Sequence, residues 1–165
     1  MKPLVVFTGQ PVGSVTREFS LLDDRNAYVC QIKAYCEADV MQVWVKQCLS
    51  LYCTTDEPAL HMMNNFSPHT VRPVRKSIAD LGCIQVNLPP NMTSQVQMLD
   101  VGINKPFKDK VTEMYNEYMI ANHTHNPKIT RALMGYWIAE AWHNIKVSTI
   151  TNTARGIGFI DLLIN

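Results

Sequence analysis

The chain lacks an excess of charge, a long apolar run and a paired cysteine motif, and each absence excludes a class of protein. Its 15 Lys and Arg face 14 Asp and Glu, so a net charge of +1 gives no global attraction to nucleic acid or to anionic lipid. No apolar run reaches the roughly 18 to 20 residues that cross a bilayer. Because its 5 cysteines form no pair of C-x-x-C motifs, we expect reduced thiols rather than a metal knuckle or a disulfide framework.

The chain does have enough apolar residues for one core, since 47% of its 165 residues are hydrophobic. The apolar pattern predicts strands at 3–7, 25–35, 58–63 and 83–88, and helices at 37–53, 69–82, 96–122 and 131–145. Residues 89–95 are expected to form a loop, Pro106 to interrupt the third helix, and 153–165 to form a weak tail. This order predicts an α/β sheet with helices appended at its C-terminal end.

The first helix, at 37–53, should bury one stripe of side chains at a spacing of three and four residues. The stripe consists of Val40, Val43, Trp44, Gln47, Cys48 and Leu51. Three tryptophans, Trp44, Trp137 and Trp142, are expected to pack in the core. In the segment at 69–82, Val71, Val74, Ile78 and Leu81 should face inward, Pro73 should lie in the first turn, and Gly82 should end the helix.

The segment HMMNNFSPH, residues 61–69, places the amides Asn64 and Asn65 where a buried strand should end. Functional groups of open α/β sheets collect at such strand ends. A second candidate is Asp100, which closes the segment QMLD after the next helix and strand. We expect Asn64 and Asp100 to be neighbours in space. Taken alone, Asp100 could equally be a cap or a first-turn residue of a helix.

The segment LPPNMTSQVQMLDVGINKPFKDKV, residues 88–111, closely resembles the region around the last catalytic acid of the DDE superfamily endonuclease domain of pogo-like transposases. That family includes Tigger elements and the host genes related to jerky and centromere protein B. PLVVFTGQPVGSVTRE, VMQVWVKQC and MMNNFSPH resemble other parts of the same domain in the same order, so the resemblance covers nearly the whole chain. It implies a ribonuclease H-like mixed sheet and two Mg²⁺ or Mn²⁺ ions held by three carboxylates.

Within that resemblance, Asp100 matches the third metal-binding acid and Asn64 falls on the position of the second. An amide keeps a carbonyl oxygen but lacks the negative charge that a bridging ligand needs, and Asn65 cannot replace it. The family's first acid lies upstream of the segment that PLVVF resembles, before this chain begins. We therefore expect a catalytically inactive remnant that needs no cofactor, with Asp100 as what is left of the metal site.

The resemblance also implies that the opening strand of the sheet is missing, which leaves two unpaired edges. The fragment is then poorly stable, or it closes the gap with another chain, or it reflects an incomplete gene model or a decayed element; the sequence does not choose among these. We expect residues 1–122 to form a partial DDE domain and residues 123–165 to be its C-terminal helical extension.

Six cations are the candidate contacts to DNA phosphates: Arg72, Arg75, Lys76, Lys105, Lys108 and Lys110. The alternative is that they are ordinary solvated helix faces. Without a recognition helix, any binding should be weak, salt-dependent and independent of sequence. His69 could stand near the site, although a structural histidine is the simpler interpretation, and His123 and His125 are expected to be loop residues.

Three functions remain open from the sequence. The first is an inactive, transposase-derived domain of the nucleus that binds DNA by descent. The second is a protein-interaction module that uses the same body, with self-association or a partner at its unpaired sheet edges and no role at a membrane. The third is an active nuclease.

Overall fold

The computed structural model describes residues 1–53, 59–123 and 126–159. The chain divides into two compact units, Met1–Pro90 and Asn91–Asn165. Three parts of the sequence predictions lie outside the described residues. They are the predicted break at 54–58, which includes the first residue of the predicted third strand; the loop residue His125; and the end of the tail at 160–165. Among the described residues, no helix is both long and apolar enough to cross a membrane.

The described part of the N-terminal unit contains four short strands and four helices. In chain order these are β1 (Leu4–Thr8), α1 (Ser14–Arg17), β2 (Ala27–Gln31), α2 (Ala38–Gln47), β3 (Ala59–Met63), α3 (Ser67–Thr70), α4 (Arg72–Ala79) and β4 (Cys83–Asn87). Short 3₁₀ turns follow α1 at Phe19–Leu21 and α2 at Leu49–Leu51. All four predicted strands are present, each shorter than or shifted slightly from its predicted range.

The four strands form two separate parallel pairs within the described residues, β1 with β2 and β3 with β4. The resemblance implied a mixed sheet, and no antiparallel pair is found among the described strands. The connection between β1 and β2 contains α1 and a 3₁₀ turn, which gives the length that a parallel crossover needs and a hairpin does not. The α/β class is therefore confirmed, whereas no described pair is antiparallel.

The core of the N-terminal unit lies between α2, α4 and the β3–β4 pair. Its buried residues are Met41, Val45, Leu49, Met63, Val74, Ile78 and Cys83. The inward residues predicted for α4 are confirmed, since Val74 and Ile78 are fully buried and Val71 and Leu81 pack against them. Gly82 follows this helix with φ of 75°, a backbone conformation that glycine adopts without the cost of a Cβ clash.

The predicted stripe of the first helix is partly wrong. The α-helix ends at Gln47, and a 3₁₀ turn covers Leu49–Leu51. Because three residues complete a 3₁₀ turn instead of 3.6, Leu49 rotates into the core while Leu51 is 60% exposed. Gln47 is exposed as well, and Met41 and Val45 take the buried positions that the stripe had assigned elsewhere.

The C-terminal unit is helical in its described part. Its helices are α5 (Thr93–Val96), α6 (Asn104–Ala121), α7 (Arg131–His143) and α8 (Val147–Gly156), and a π-helical turn, Leu99–Ile103, precedes α6. Pro106 does not interrupt α6 but lies in its first turn, where a missing N–H breaks no helical hydrogen bond. Two predictions need correction, because α5 occupies part of the expected loop and α8 begins well before the expected tail.

Tryptophan packing is confirmed most clearly in the C-terminal unit. Trp137 of α7 is 3% exposed, and its ring makes edge contacts with Tyr115 and Tyr118 of α6. Trp142 contacts Phe107 in the same way. Aromatic side chains on facing sides of α6 and α7 therefore hold these two helices together.

The cysteines differ from the expectation that all are reduced. Cys53 and Cys83 are joined as a disulfide, with a Cα–Cα distance of 6.6 Å, whereas Cys30, Cys36 and Cys48 are free. The two bonded residues are 30 positions apart in sequence, and they meet because the end of the α2 region and the start of β4 converge at the core. Such a pairing depends on tertiary packing, so no local motif could predict it.

Candidate functional site

Asn64 lies directly after β3 and uses its side chain to shape the loop that follows. Its Oδ1 accepts a hydrogen bond of 3.2 Å from the backbone N–H of Phe66, a turn that asparagine forms with its own backbone. Asn65 donates from Nδ2 to the backbone carbonyl of Leu88, 2.6 Å away. Both amides therefore serve hydrogen bonds that fix the end of the strand, and an aspartate at position 65 could not donate such a bond.

A polar cluster surrounds the backbone carbonyl of Asn64 at the end of the β3–β4 pair. Asn87 donates to this carbonyl from Nδ2 at 3.3 Å, and the Nδ1 of His69 lies 3.3 Å from the same oxygen. Gln85 donates from Nε2 to the carbonyl of His69 at 2.9 Å and to Oδ1 of Asn87 at 3.1 Å. His69 thus lies beside Asn64, and its contact with a backbone carbonyl is the kind that the simpler interpretation, a structural histidine, expects.

His61 lies on the same face of the β3–β4 pair as Gln85 and Asn87. This is the inner face, which is turned toward the core, and sequence reasoning missed His61. Its ring contacts that of Trp44 in a tilted arrangement, with centroids 5.1 Å apart, and it lies opposite Gln85 in the strand register. Its Nε2 and the Oε1 of Gln85 are buried without a hydrogen-bond partner among the described residues. The alternation separates His61, Gln85 and Asn87 from Leu60, Ile84 and Val86, but only the structure shows that the first three face inward and the others outward.

Burial lowers the pKa of both histidines in this cluster. Desolvation of the imidazolium is the main cause for His61, and the positive charge of a protonated His69 adds to it. For His69 desolvation is again the main cause, and the hydrogen bond to the Asn64 carbonyl works in the opposite direction. Both rings are therefore neutral at neutral pH.

Asp100 lies in the C-terminal unit, in the first turn of the π-helical segment. It is exposed, and its Oδ1 accepts a hydrogen bond of 2.7 Å from Nδ2 of Asn104 one turn later. The structure thus gives Asp100 the position of a first-turn acid, where a carboxylate interacts favourably with the positive end of the helix dipole. Asn64 belongs to the other unit, so the prediction that the two are neighbours stays a prediction.

These donors do not fit a centre for two divalent cations. Such a centre needs several charged oxygen ligands around ions roughly 3.5 to 4 Å apart. The two residues that the resemblance places at metal-binding positions are one carboxylate, Asp100, and one amide, Asn64, whose oxygen already accepts a hydrogen bond from Phe66. Across residues 1–53, 59–123 and 126–159, no group of three or more His, Cys, Asp and Glu side chains is arranged to hold a metal ion.

The cations of α4 form a positive surface on the N-terminal unit. Arg72, Arg75 and Lys76 are exposed, and no acid lies within the helix itself. Lys76 pairs with Asp80 at 2.9 Å, whereas no ion pair is found for Arg72 or Arg75 among the described residues. A cleft of about 560 Å³ opens beside these cations and extends to β4, lined also by Thr70, Ala79, Cys83, Ile84 and Gln85.

The lysines of α6 are in a different electrostatic setting. Lys105 pairs with Asp109 at 2.6 Å, and Lys110 pairs with Glu113 at 2.7 Å. The hydrogen bond to Glu113 is the main cause that raises the pKa of Lys110. Lys108 is exposed and has no ion pair in the part of the chain that the structure describes. The helix balances three lysines with three acids, so its surface attracts phosphate much less than α4 does.

The chain belongs to the DDE superfamily endonuclease family, whose family model matches residues 1–153. The match spans most of the chain and confirms the family that the segment at 88–111 indicated.

Two curated relatives carry the description "Pogo transposable element with KRAB domain". The mouse protein is 27% identical over 134 residues, which is 76% of this chain and 22% of that protein. The human protein is 26% identical over 129 residues, 73% of this chain and 21% of that protein. The chain thus spans about a fifth of the length of these relatives. No solved structure matches the chain.

Proposed function

We propose that this chain is a transposase-derived domain that has lost strand cleavage and retains weak, sequence-independent contact with DNA. The single observation that carries the loss of cleavage is Asn64 at the position of the second metal-binding acid. With an amide there, Asp100 is the one carboxylate among the two residues that the resemblance matches to metal-binding acids. One negative group cannot neutralise two dications.

DNA contact is supported by the family and by the charge on α4. Members of pogo-like transposase families act on DNA, and Arg72 and Arg75 offer guanidinium groups for which no carboxylate partner is found in the described part of the chain. One guanidinium group can donate two parallel hydrogen bonds to the oxygens of a phosphate. The lysines of α6 contribute less, because two of the three are already paired. This role implies a nuclear location.

A salt titration of DNA binding tests the proposal, with fluorescence anisotropy on a labelled duplex. Binding should weaken steeply between low and moderate salt, since each phosphate contact releases about one counterion. The Arg72→Gln, Arg75→Gln double variant should lower the slope of log Kd against log salt by about 2. The matched control, Lys105→Gln with Lys110→Gln, should change it by less than about 1.

The alternative function is a protein-interaction module without a nucleic-acid role. It is favoured by the outer face of the β3–β4 pair, where Leu60 is 56% and Ile84 60% exposed, although parallel sheets are usually covered on both faces. The same titration separates the two functions. Absent or salt-independent binding to DNA would reject the first function and favour the second.

A further inference from the structure

The strand β4 has a backbone edge that no described residue satisfies. The N–H of Leu88 donates to the carbonyl of Met63 at 2.7 Å, and Met63 is opposite Asn87 in the register. In a parallel ladder alternate residues bond to one neighbour. The residues of β4 whose N–H and C=O groups point away from β3 are therefore Cys83, Gln85 and Asn87, and no backbone bond from elsewhere in the described residues reaches them.

This free edge borders the cleft beside α4. Cys83, Ile84 and Gln85 line the cleft on the β4 side, and Arg72, Arg75 and Lys76 line it on the helix side. Its surface thus combines three features: a row of unpaired backbone donors and acceptors, an exposed apolar side chain at Ile84, and cations.

We propose that the α4–β4 cleft binds an extended acidic segment of a partner protein, which adds to β4 as a further strand. A peptide backbone offers the alternating N–H and C=O groups that match a strand edge. A phosphodiester chain has no such alternation of donors and acceptors. Acidic side chains recur every second residue on one side of a strand, about 6.6 Å apart, and the Arg72 and Arg75 side chains, about 4.5 Å apart along the helix axis, are long enough to meet them.

The proposal does not depend on DNA binding, but it shares residues with it. Because Arg72 and Arg75 would serve both ligands, peptide and DNA should compete for the cleft. A partner that is acidic and extended would therefore displace DNA from this unit.

Fluorescence anisotropy with a labelled eight-residue peptide of alternating Glu and Val tests the proposal on the full chain. Two isomers, N-methylated on the odd or on the even residues, carry the same charge but block opposite edges of the peptide strand. One isomer should bind about tenfold or more weakly than the unmodified peptide, and the other nearly as well. Arg72→Gln with Arg75→Gln should weaken the unmodified peptide by a similar factor, and Lys105→Gln with Lys110→Gln should not.

Equal binding of both isomers would overturn the proposal, because it would show attraction to charge alone. Absence of peptide binding would also overturn it. If DNA still bound through Arg72 and Arg75 in that case, the cleft would be a phosphate site and the proposed function would stand. Absence of both would reject the two proposals together.

Discussion

His61 carries an imidazole into the inner face of the β3–β4 pair, against the ring of Trp44. Its buried Nε2 has no partner among the described residues, so a proton there would bring a charge without a counter-ion. Burial lowers the pKa of His61 and of His69, and the two rings oppose each other's protonation. This cluster makes the N-terminal unit sensitive to acid.

The first prediction concerns this sensitivity. In the unfolded chain both histidines take up protons near pH 6.5, whereas in the folded chain they do so only at lower pH. The unfolded state thus binds more protons below about pH 6.5, and stability is lost as the pH falls below that value. His61→Phe, which keeps the contact with Trp44, should reduce the fall of the thermal midpoint between pH 7.5 and 5.5.

The matched control is His123→Gln, which changes an exposed histidine of the C-terminal unit and should leave the pH dependence as it is. A thermal midpoint that stayed constant or rose on acidification would contradict the assigned role of the buried imidazoles.

The sequence was a better guide to the candidate functional residues than to the contacts that these residues make. Asn64 and Asp100 stood out as polar residues at predicted strand ends, and the family resemblance then gave them a role. Arg72, Arg75 and Lys76 stood out through the spacing of the helix. The polar inner face was missed because strand alternation shows two faces without saying which one is covered. In β4 the face with Gln85 and Asn87 turns inward, although the apolar Ile84 and Val86 would usually be expected to face the core.

Among the elements, the π-helical turn before α6 packs against α8 at a point that admits no side chain. A Cβ built on Gly102 would lie 2.9 Å from Cγ2 of Thr153 and closer still to its Oγ1. Since these atoms belong to a side chain held by a hydrogen bond to the Thr149 carbonyl, the neighbour cannot move without cost. This contact fixes the segment that carries Asp100 within the C-terminal unit.

The second prediction follows from this contact. Gly102→Ala should destabilise the C-terminal unit by about 1 to 3 kcal/mol, measured by chemical denaturation. Gly156→Ala is the matched control: a Cβ at that glycine meets nothing within 4 Å, and alanine favours the helix by up to about 1 kcal/mol. Adding Thr153→Ala to Gly102→Ala should restore part of the loss, and equal destabilisation by both glycine variants would refute the packing argument.

The positions of α2, α4, α6 and α7 were predictable from the 3.6-residue period, whereas their ends were not, and α8 was not predicted. The change from α to 3₁₀ geometry after Gln47 reversed the roles of Leu49 and Leu51, and the π-helical turn moved the start of α6 to Asn104. Both changes depend on how neighbouring segments pack, which a period measured along one segment does not contain. The disulfide between Cys53 and Cys83 depends on the same long-range packing.

For the whole molecule, the family was predictable from one segment of 24 residues, 88–111, and the α/β class from the order of elements. The pairing of strands was not, because the length of the connection between β1 and β2 allows a crossover that the family resemblance had not suggested. The exposed apolar outer face at Leu60 and Ile84 could not be foreseen either, since a strand pattern does not reveal whether another layer covers it.

Plasmid cleavage is the most direct test, because it reports the charge that the positions matched by the resemblance to the catalytic acids offer to a metal ion. Plasmid DNA should remain intact in Mn²⁺ with the wild-type chain, and also with Asn64→Asp, because two carboxylates at these positions still do not make the set of three. The Asp100→Ala variant reports any contaminating nuclease. Metal-dependent cleavage by the wild-type chain or by Asn64→Asp, abolished in the Asp100→Ala background, would contradict the account.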